Sequence, residues 1–266
     1  MNEGNELADS HWAPSLRVAR QAVTAAAAVL QAHRTDWVAA ESAVGRDLKL
    51  VADRESERII LEALRPTGLP VLSEETGASP DWARNGTFWV VDPLDGSFNF
   101  QHGFPLACIS VGLVERGQPV AGVIHDLAAD RTVWGAVDAG AFEDGRRLAV
   151  STVGQWSQAA LTTGFPVGRT YDAPSLAAFV DRVQRVKKVR MLGSACASLL
   201  SVARGVFDAY YEEDICLWDV AAGLALVQAA GGRVATRPGR SPHQVAAYAG
   251  NARLTPITEP DGKENL

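Results

Sequence analysis

The chain has 266 residues, 47% of them hydrophobic and 21% charged, with a formal net charge of −6. That is enough for one large domain or two closely packed halves around a substantial core. No run of basic residues exceeds Lys187-Lys188, which excludes nucleic-acid binding driven by a basic surface.

Glu3, Glu6 and Asp9 stand where a secretory signal would need positive charge, and the alanine-rich stretch after Arg20 stops at His33, too short to cross a bilayer. A cytoplasmic protein without a membrane segment is expected. Ser15 to about His33 predicts a helix, with an apolar stripe through Leu16, Ala19, Val23, Ala26, Ala27 and Leu30. Asp53 to Leu64 predicts a second helix, buried through Ile59, Ile60, Ala63 and Leu64. "LPVLSEET" reads as a short strand ending in acids, and "TFWVVD" as another. "ACISVGLVERGQPVAGVIHD" has two β-branched runs joined at Arg116-Gly117-Gln118, the pattern of a hairpin. Short strands with glycine turns follow in "RTVWGAVDAGAFEDGRRLAV".

After about residue 150 the pattern restarts. "AALTTGF" and "KKVRMLG" are strand-like, Pro174 to Val186 is helical, Ala195 to Ala203 is helical and "FDAYYEE" is a strand. Asp219 to Ala230 is a helix stopped by Gly231-Gly232. The polar tail after Pro256 is expected to fray. Strands and helices mix without strict βαβ alternation, so a layered α/β or α+β fold is expected. Cys108, Cys196 and Cys216 are odd in number and far apart, which suits buried thiols of a reducing compartment and not disulfides or zinc ligands.

The chemistry is concentrated in "FWVVDPLDGSFNF". Asp92 precedes a proline, which pushes it toward extended backbone and places it at the strand's last residue. Asp95-Gly96 is a turn signal, and glycine tolerates backbone conformations a side chain forbids. Both carboxylates can converge on one point, with the next backbone N–H groups facing the same space, where they suit a phosphate. A lone Asp-Gly is more simply a turn, and Asp53 and Asp219, each at a helix start, read alone as caps. Glu74-Glu75 joins them if its strand lies beside Phe88–Asp92. Several carboxylates at element ends, with no Cys or His cluster nearby, select a hard cation, magnesium before zinc. Acids around magnesium beside backbone N–H groups suggest phosphate-ester chemistry by a two-metal route.

These residues also carry a family pattern. "DPLDGSFNF" resembles the D-P-I/L-D-G-T/S-x-N-F signature of the inositol monophosphatase family, magnesium-dependent and lithium-sensitive phosphatases. "WDVAAGLALVQAAGG" is similar to its second signature, "SEET" to its G-E-E-S/T element, and "RMLGSACASLLSVARGVFDAYYEEDICLWD" to the segment leading to W-D. The likeness runs from about Asp47 to Gly232, with the motifs in family order. It implies alternating α/β/α/β/α layers of the sugar-phosphatase type, an N-terminal half over residues 1–150 with most metal ligands, a C-terminal half over residues 151–266, and a homodimer. By the same resemblance Glu74, Asp92 and the Leu94 carbonyl would hold a first Mg2+, Asp92, Asp95 and Asp219 a second, and Glu74 with water a weaker third. Gly96 and Ser97 N–H groups would receive phosphate, while Ser97 and Asp53 would orient and activate the attacking water.

Two positions depart from the family pattern: Leu50 stands where threonine is usual, and the usual upstream lysine is missing, with Lys49 the nearest cation. The segment Gly193-Ser194-Ala195 and Glu212 of "YYE" match the inositol phosphatases, in which that glutamate binds ring hydroxyls. The resemblance therefore implies a cyclitol or sugar monophosphate such as inositol 1-phosphate, hydrolysed by metal-activated water. Glu213 and Asp214 raise an amine-bearing alternative, an aminocyclitol phosphate. Histidinol phosphate and fructose 1,6-bisphosphate remain alternative substrates, and a regulatory protein binding transcription machinery is the alternative of another class.

Overall fold

The computed structural model describes residues 10–38, 40–44, 47–79, 86–165 and 172–257; Glu3, Glu6, Asp9 and the tail beyond Ile257 lie outside the described residues. The elements run α1 (Ala13–Ala32), β1 (Ala40–Val44), β2 (Asp47–Leu50), α2 (Val51–Leu64), β3 (Val71–Ser73), β4 (Gly77–Ala78), β5 (Thr87–Asp95) and α3 (Ser97–Gln101). There follow β6 (Cys108–Glu115), β7 (Gln118–Asp126), β8 (Arg131–Ala136), β9 (Gly140–Glu143), β10 (Arg146–Arg147), β11 (Ala160–Thr162), α4 (Ala173–Arg185) and β12 (Lys188–Arg190). The chain closes with α5 (Ala195–Ala203), β13 (Ala209–Cys216), α6 (Leu217–Ala229), β14 (Arg233–Pro238) and β15 (Gln244–Gly250).

Two large sheets result, one ordered β10-β9-β8-β7-β6-β5-β3-β4 and one ordered β12-β11-β13-β15-β14. Successive strand residues point to opposite faces, and that alternation sorts the core. Trp89 and Val91 of β5 pack with the α1 stripe and with Ile60 and Leu64 of α2, whereas Phe88 and Val90 pack against Ala221 of α6. On the α6 side, Ile124, Val133 and Ala141 share one core with α5, α6, Tyr210 of β13 and Ala247 and Ala249 of β15. Tyr211 and Tyr248 face the other side of the second sheet, where Arg182 of α4 lies over the Tyr211 ring at 4.8 Å. The order is helix, sheet, helix, sheet, helix: an α+β fold in five layers.

Helix α6 approaches the first sheet unusually closely because two glycines lie opposite each other on β6 and β7. Gly112 pairs with Gly122; a Cβ on Gly112 would sit 2.8 Å from Ala222 N, and one on Gly122 would collide with the Ala222 carbonyl oxygen. The helix backbone thus rests on the sheet backbone, and the α6 start is fixed relative to β5.

The predicted helices are present within two residues at each end. Both acid-led helices begin earlier than expected, at Val51 and Leu217, so Asp53 and Asp219 are third helical residues and not the first. Strand β5 continues past Asp92 through Pro93 to Asp95, with the register against β6 slipping between the two acids. The hairpin turn is Arg116-Gly117 alone, both at positive φ, and Gln118 already belongs to β7. Five strands have no counterpart among the expected elements: the β1–β2 pair, the two-residue β4, β14, and β15, whose Gln-Val-Ala-Ala-Tyr-Ala-Gly is poor in β-branched residues.

The α6 contact makes a direct prediction. Gly122→Val should destabilise the protein in urea by ~1–3 kcal/mol or more through overpacking. Gly154→Ala, whose Cβ meets nothing within 4 Å, should stay within about 0.5 kcal/mol of the parent; equal effects would refute the close approach.

Candidate active site

Asp92 sits on the α6-facing side of β5, and the parallel pairing of β3 with β5 ends at Ser73 opposite Val91. The Glu74 N–H then bonds the Val91 carbonyl at 3.2 Å, which carries Glu74 to the end of β5. Carboxylate oxygens of Glu74, Asp92 and Asp219 lie within 4.8 Å of one another. Asp92 and Asp95 belong to a second such group, whose third member is the Cys196 thiol. The sequence reading placed no cysteine here; Cys196 reaches the acids through the second residue of α5, a connection made only by the fold.

Each acid is held by a specific device. Asp53 Oδ2 accepts from Leu50 N at 2.7 Å, and Asp219 Oδ2 from Cys216 N at 3.2 Å, each closing a helix start from its third residue. Asp92 Oδ1 accepts from Leu94 N at 3.0 Å. Asp95 Oδ2 accepts from the Ser194 hydroxyl at 2.5 Å and from Cys196 N at 2.6 Å. The Ser97 hydroxyl stands 2.6 Å from Asp53 Oδ1 and 2.9 Å from the Leu94 carbonyl, and its one proton serves one of them at a time. Gly96 has φ +85°, and a Cβ there would sit 2.8 Å from the Leu106 carbonyl, so the turn between Asp95 and Ser97 requires glycine.

Three further residues position this site without a motif to announce them. Ser56 donates to the Pro93 carbonyl at 2.7 Å, fixing the peptide between the two acids. Buried Glu57 accepts from the Ser73 hydroxyl and, at 3.1 Å, from Thr76 N, bracketing Glu74-Glu75. Asn99 Nδ2 donates to the Leu106 and Leu192 carbonyls at 2.8 and 2.9 Å, tying α3 to the segment before Gly193. The available signal was helical spacing: Ser56 and Glu57 follow Asp53 by about one turn and so share its side of α2. Lys49, which precedes Leu50, bonds Glu75 at 2.8 Å.

Of the residues expected at the substrate, Gly193 is exposed, while Ser194 and Ala195 are buried. Because its hydroxyl both holds Asp95 and caps α5 through Ala197 N at 3.0 Å, Ser194 acts on a metal-ligand candidate. Glu212 lies on the same face of β13 as Tyr210, whose hydroxyl donates to it at 2.9 Å. A Cβ on Gly164 would come within 2.7 Å of Glu212 Oε1. Glu213 and Asp214 correct the amine-recognition idea. Glu213 points to the opposite face, accepting from Tyr211 at 2.8 Å and lying 3.7 Å from Arg182, and Asp214 pairs with Arg240 at 3.1 Å.

Burial dominates the electrostatics. It pushes Asp53 up to about 6, Glu212 up to about 7 and Glu74 up to about 8, the last also through Glu75 and Asp53. Asp92 and Asp219 are raised well above the carboxylate range by burial and then by Glu74 and Asp95. Asp95 is raised by burial, and its bonds to Ser194 and Cys196 pull it back. Asp92 Oδ2 is buried without a hydrogen-bond partner among the described residues. Clustered acids with an orphaned inner oxygen suit a cation, and predominantly oxygen donors fit a hard divalent one such as Mg2+.

Comparison with known proteins agrees with this geometry. A sequence profile described as "Inositol monophosphatase family" matches residues 11–259. The inositol-1-monophosphatase of Mesorhizobium japonicum is 40% identical over 71% of each chain. The Nus factor SuhB of Xylella fastidiosa is 33% identical over 76% of each. The solved inositol monophosphatase of Anabaena (Nostoc) superposes with a TM-score of 0.76 at 33% identity, covering 90% of this chain and 91% of that one.

The raised carboxylates fix the sign of a pH effect. A carboxyl with a folded pKa above its unfolded value of 3.8 or 4.5 stabilises the fold while protonated, and that contribution is lost as pH rises through about 6 for Asp53, 7 for Glu212 and 8 for Glu74. The Tm of metal-free protein should therefore fall between about pH 5 and 8, and saturating Mg2+ should reduce the fall. A metal-free Tm that is flat or rising over that range would contradict the assignment.

Proposed function

The chain belongs to the inositol monophosphatase family, and from that premise we propose that it is a Mg2+-dependent phosphomonoesterase whose substrate is a cyclitol or sugar monophosphate, inositol 1-phosphate foremost. The observation that carries the reading is the pair of acidic groups joined at Asp92, one with Glu74 and Asp219 and one with Asp95, together with the Ser97–Asp53 hydrogen bond. In this reading Glu74, Asp92, Asp95, Asp219 and the Leu94 carbonyl would hold two ions, with a weaker third on Glu74. When bound, the ions polarise the phosphate and lower the pKa of water.

The protein's own groups then divide the work. Asp53, with a pKa near 6, accepts the Ser97 hydroxyl proton around neutral pH, and Ser97 Oγ takes one from the attacking water. Gly96 and Ser97 present backbone N–H groups to the phosphate, and the Gly193–Ala195 segment borders it. Glu212 accepts hydrogen bonds from ring hydroxyls, with Tyr210 fixing its orientation and Gly164 leaving it room.

A cytoplasmic setting suits the three unbridged cysteines. A homodimer is part of the same reading: exposed Phe98, Phe104 and Met191 neighbour Asn99 or the Leu192 carbonyl it binds, and offer an apolar face. Halves divided near residue 150 suit the two sheets, of which the first ends at Arg147 and the second begins at Ala160. The SuhB relative supports a second reading, a binding role; that role would survive loss of metal binding.

The test is phosphate release from inositol, hexose, histidinol and nucleotide monophosphates and from fructose 1,6-bisphosphate, with and without EDTA. Asp53→Asn should lower kcat by ~10²–10⁴-fold while Mg2+ still binds. Asp95→Asn should abolish the metal-dependent rate. Robust turnover by the Asp95 variant, or a rate indifferent to EDTA, would overturn the reading.

A further inference from the structure

Beyond the hard-cation cradle, we propose that Cys196 makes the Asp92–Asp95 side a distinct binding site for a thiophilic divalent cation, Zn2+ or Cd2+. Cys196 Sγ and carboxylate oxygens of Asp92 and Asp95 all lie within 4.8 Å of one another. Ligands around a tetrahedral zinc, with bonds of about 2.0–2.3 Å, stand about 3.5 Å apart, so a small side-chain adjustment closes the site. The thiol is already held in place. Its residue is fully buried, its backbone N–H is bonded to Asp95 Oδ2 at 2.6 Å, and its sulfur is 3.4 Å from the Asp219 carbonyl.

A buried oxygen beside the thiol is open to a ligand. Asp92, only 1% exposed, leaves Oδ2 without a hydrogen-bond partner among the described residues. Ser110, directly across the β5–β6 pairing from Asp92, is fully buried beside the Cys196 thiol. Mg2+ makes no use of sulfur, whereas Zn2+ and Cd2+ favour it, so the thiol selects between cation classes at a shared carboxylate. Binding exchanges the thiol proton for the ion and releases that proton to solvent. Partly exposed Glu74 and Asp219 mark the side from which the ion enters. Sharing Asp92 sets the two cation classes in competition; inhibition of turnover by Zn2+ is a consequence that rests on the phosphatase reading, but the binding does not.

Co2+, a spectroscopic stand-in for Zn2+, reads the thiolate directly. Metal-free wild type titrated with Co2+ should develop a near-ultraviolet sulfur-to-metal charge-transfer band, which Zn2+ displaces. The band should be absent in Cys196→Ala and Cys196→Ser and kept in Cys108→Ala. Zn2+ affinity in the two Cys196 variants should fall by more than the ~10–100-fold typical of outer ligand-shell changes, while Mn2+ affinity and the circular dichroism spectrum stay near those of wild type. Absence of the band in wild type, or its persistence in either folded Cys196 variant, would overturn the proposal. These readouts need no turnover, so they remain informative if the phosphatase assay fails.

Discussion

Burial of a group of carboxylates, with their mutual repulsion second, is the constraint on which the structure depends. Asp92 lies within 4.8 Å of Glu74 and Asp219 in one group and of Asp95 in a second, and removing such charges from water costs on the order of several kcal/mol per ion when unpaired. The fold counters this with donors: backbone N–H groups of Leu94, Cys196 and Cys216, and the Ser194 hydroxyl. What those bonds leave uncompensated, chiefly Asp92 Oδ2, is relieved by protons in the metal-free protein, up to about pH 8 at Glu74, and by a cation that displaces them. Cation affinity and strain in the metal-free state therefore have one origin.

The architecture makes that convergence possible. Helix α6 is sandwiched between the sheets, and the paired glycines of β6 and β7 let its backbone settle against the first sheet. Asp219, in its first turn, is thereby held at the end of β5 although it is far away in sequence. Helix α5 brings Ser194 and Cys196 to Asp95 in the same way. The site is thus assembled from both sides of the middle helical layer, with α2 contributing Asp53, Ser56 and Glu57 from the outer one.

The parts of this arrangement legible in the sequence were those governed by local rules. The α1 stripe, the β6–β7 hairpin and the Gly-Gly stop after α6 follow from periodicity and turn chemistry, and the acid-led motifs identified the ligand candidates. Contacts between distant segments were not legible. Nothing around Cys196 says that its thiol meets Asp92, and nothing around Glu213 says that strand alternation turns it away from Glu212 toward Arg182. Asp53 and Asp219 looked like caps because an acid at either place serves a helix start: an N-cap acid accepts from the N–H groups of the first turn, a third-position acid from the N–H of the N-cap residue, here Leu50 and Cys216. Strand β15 escaped notice because it is stabilised by its central place in the second sheet and not by β propensity.

Melting curves of wild type and Asp92→Asn at neutral pH, each with and without Mg2+, test the central claim most directly. If the buried acids repel one another until a cation binds, metal-free Asp92→Asn melts higher than metal-free wild type and gains less from Mg2+. A variant that melts lower without metal, together with a wild type whose Tm ignores Mg2+, would show that these carboxylates are a structural network and not a cation cradle.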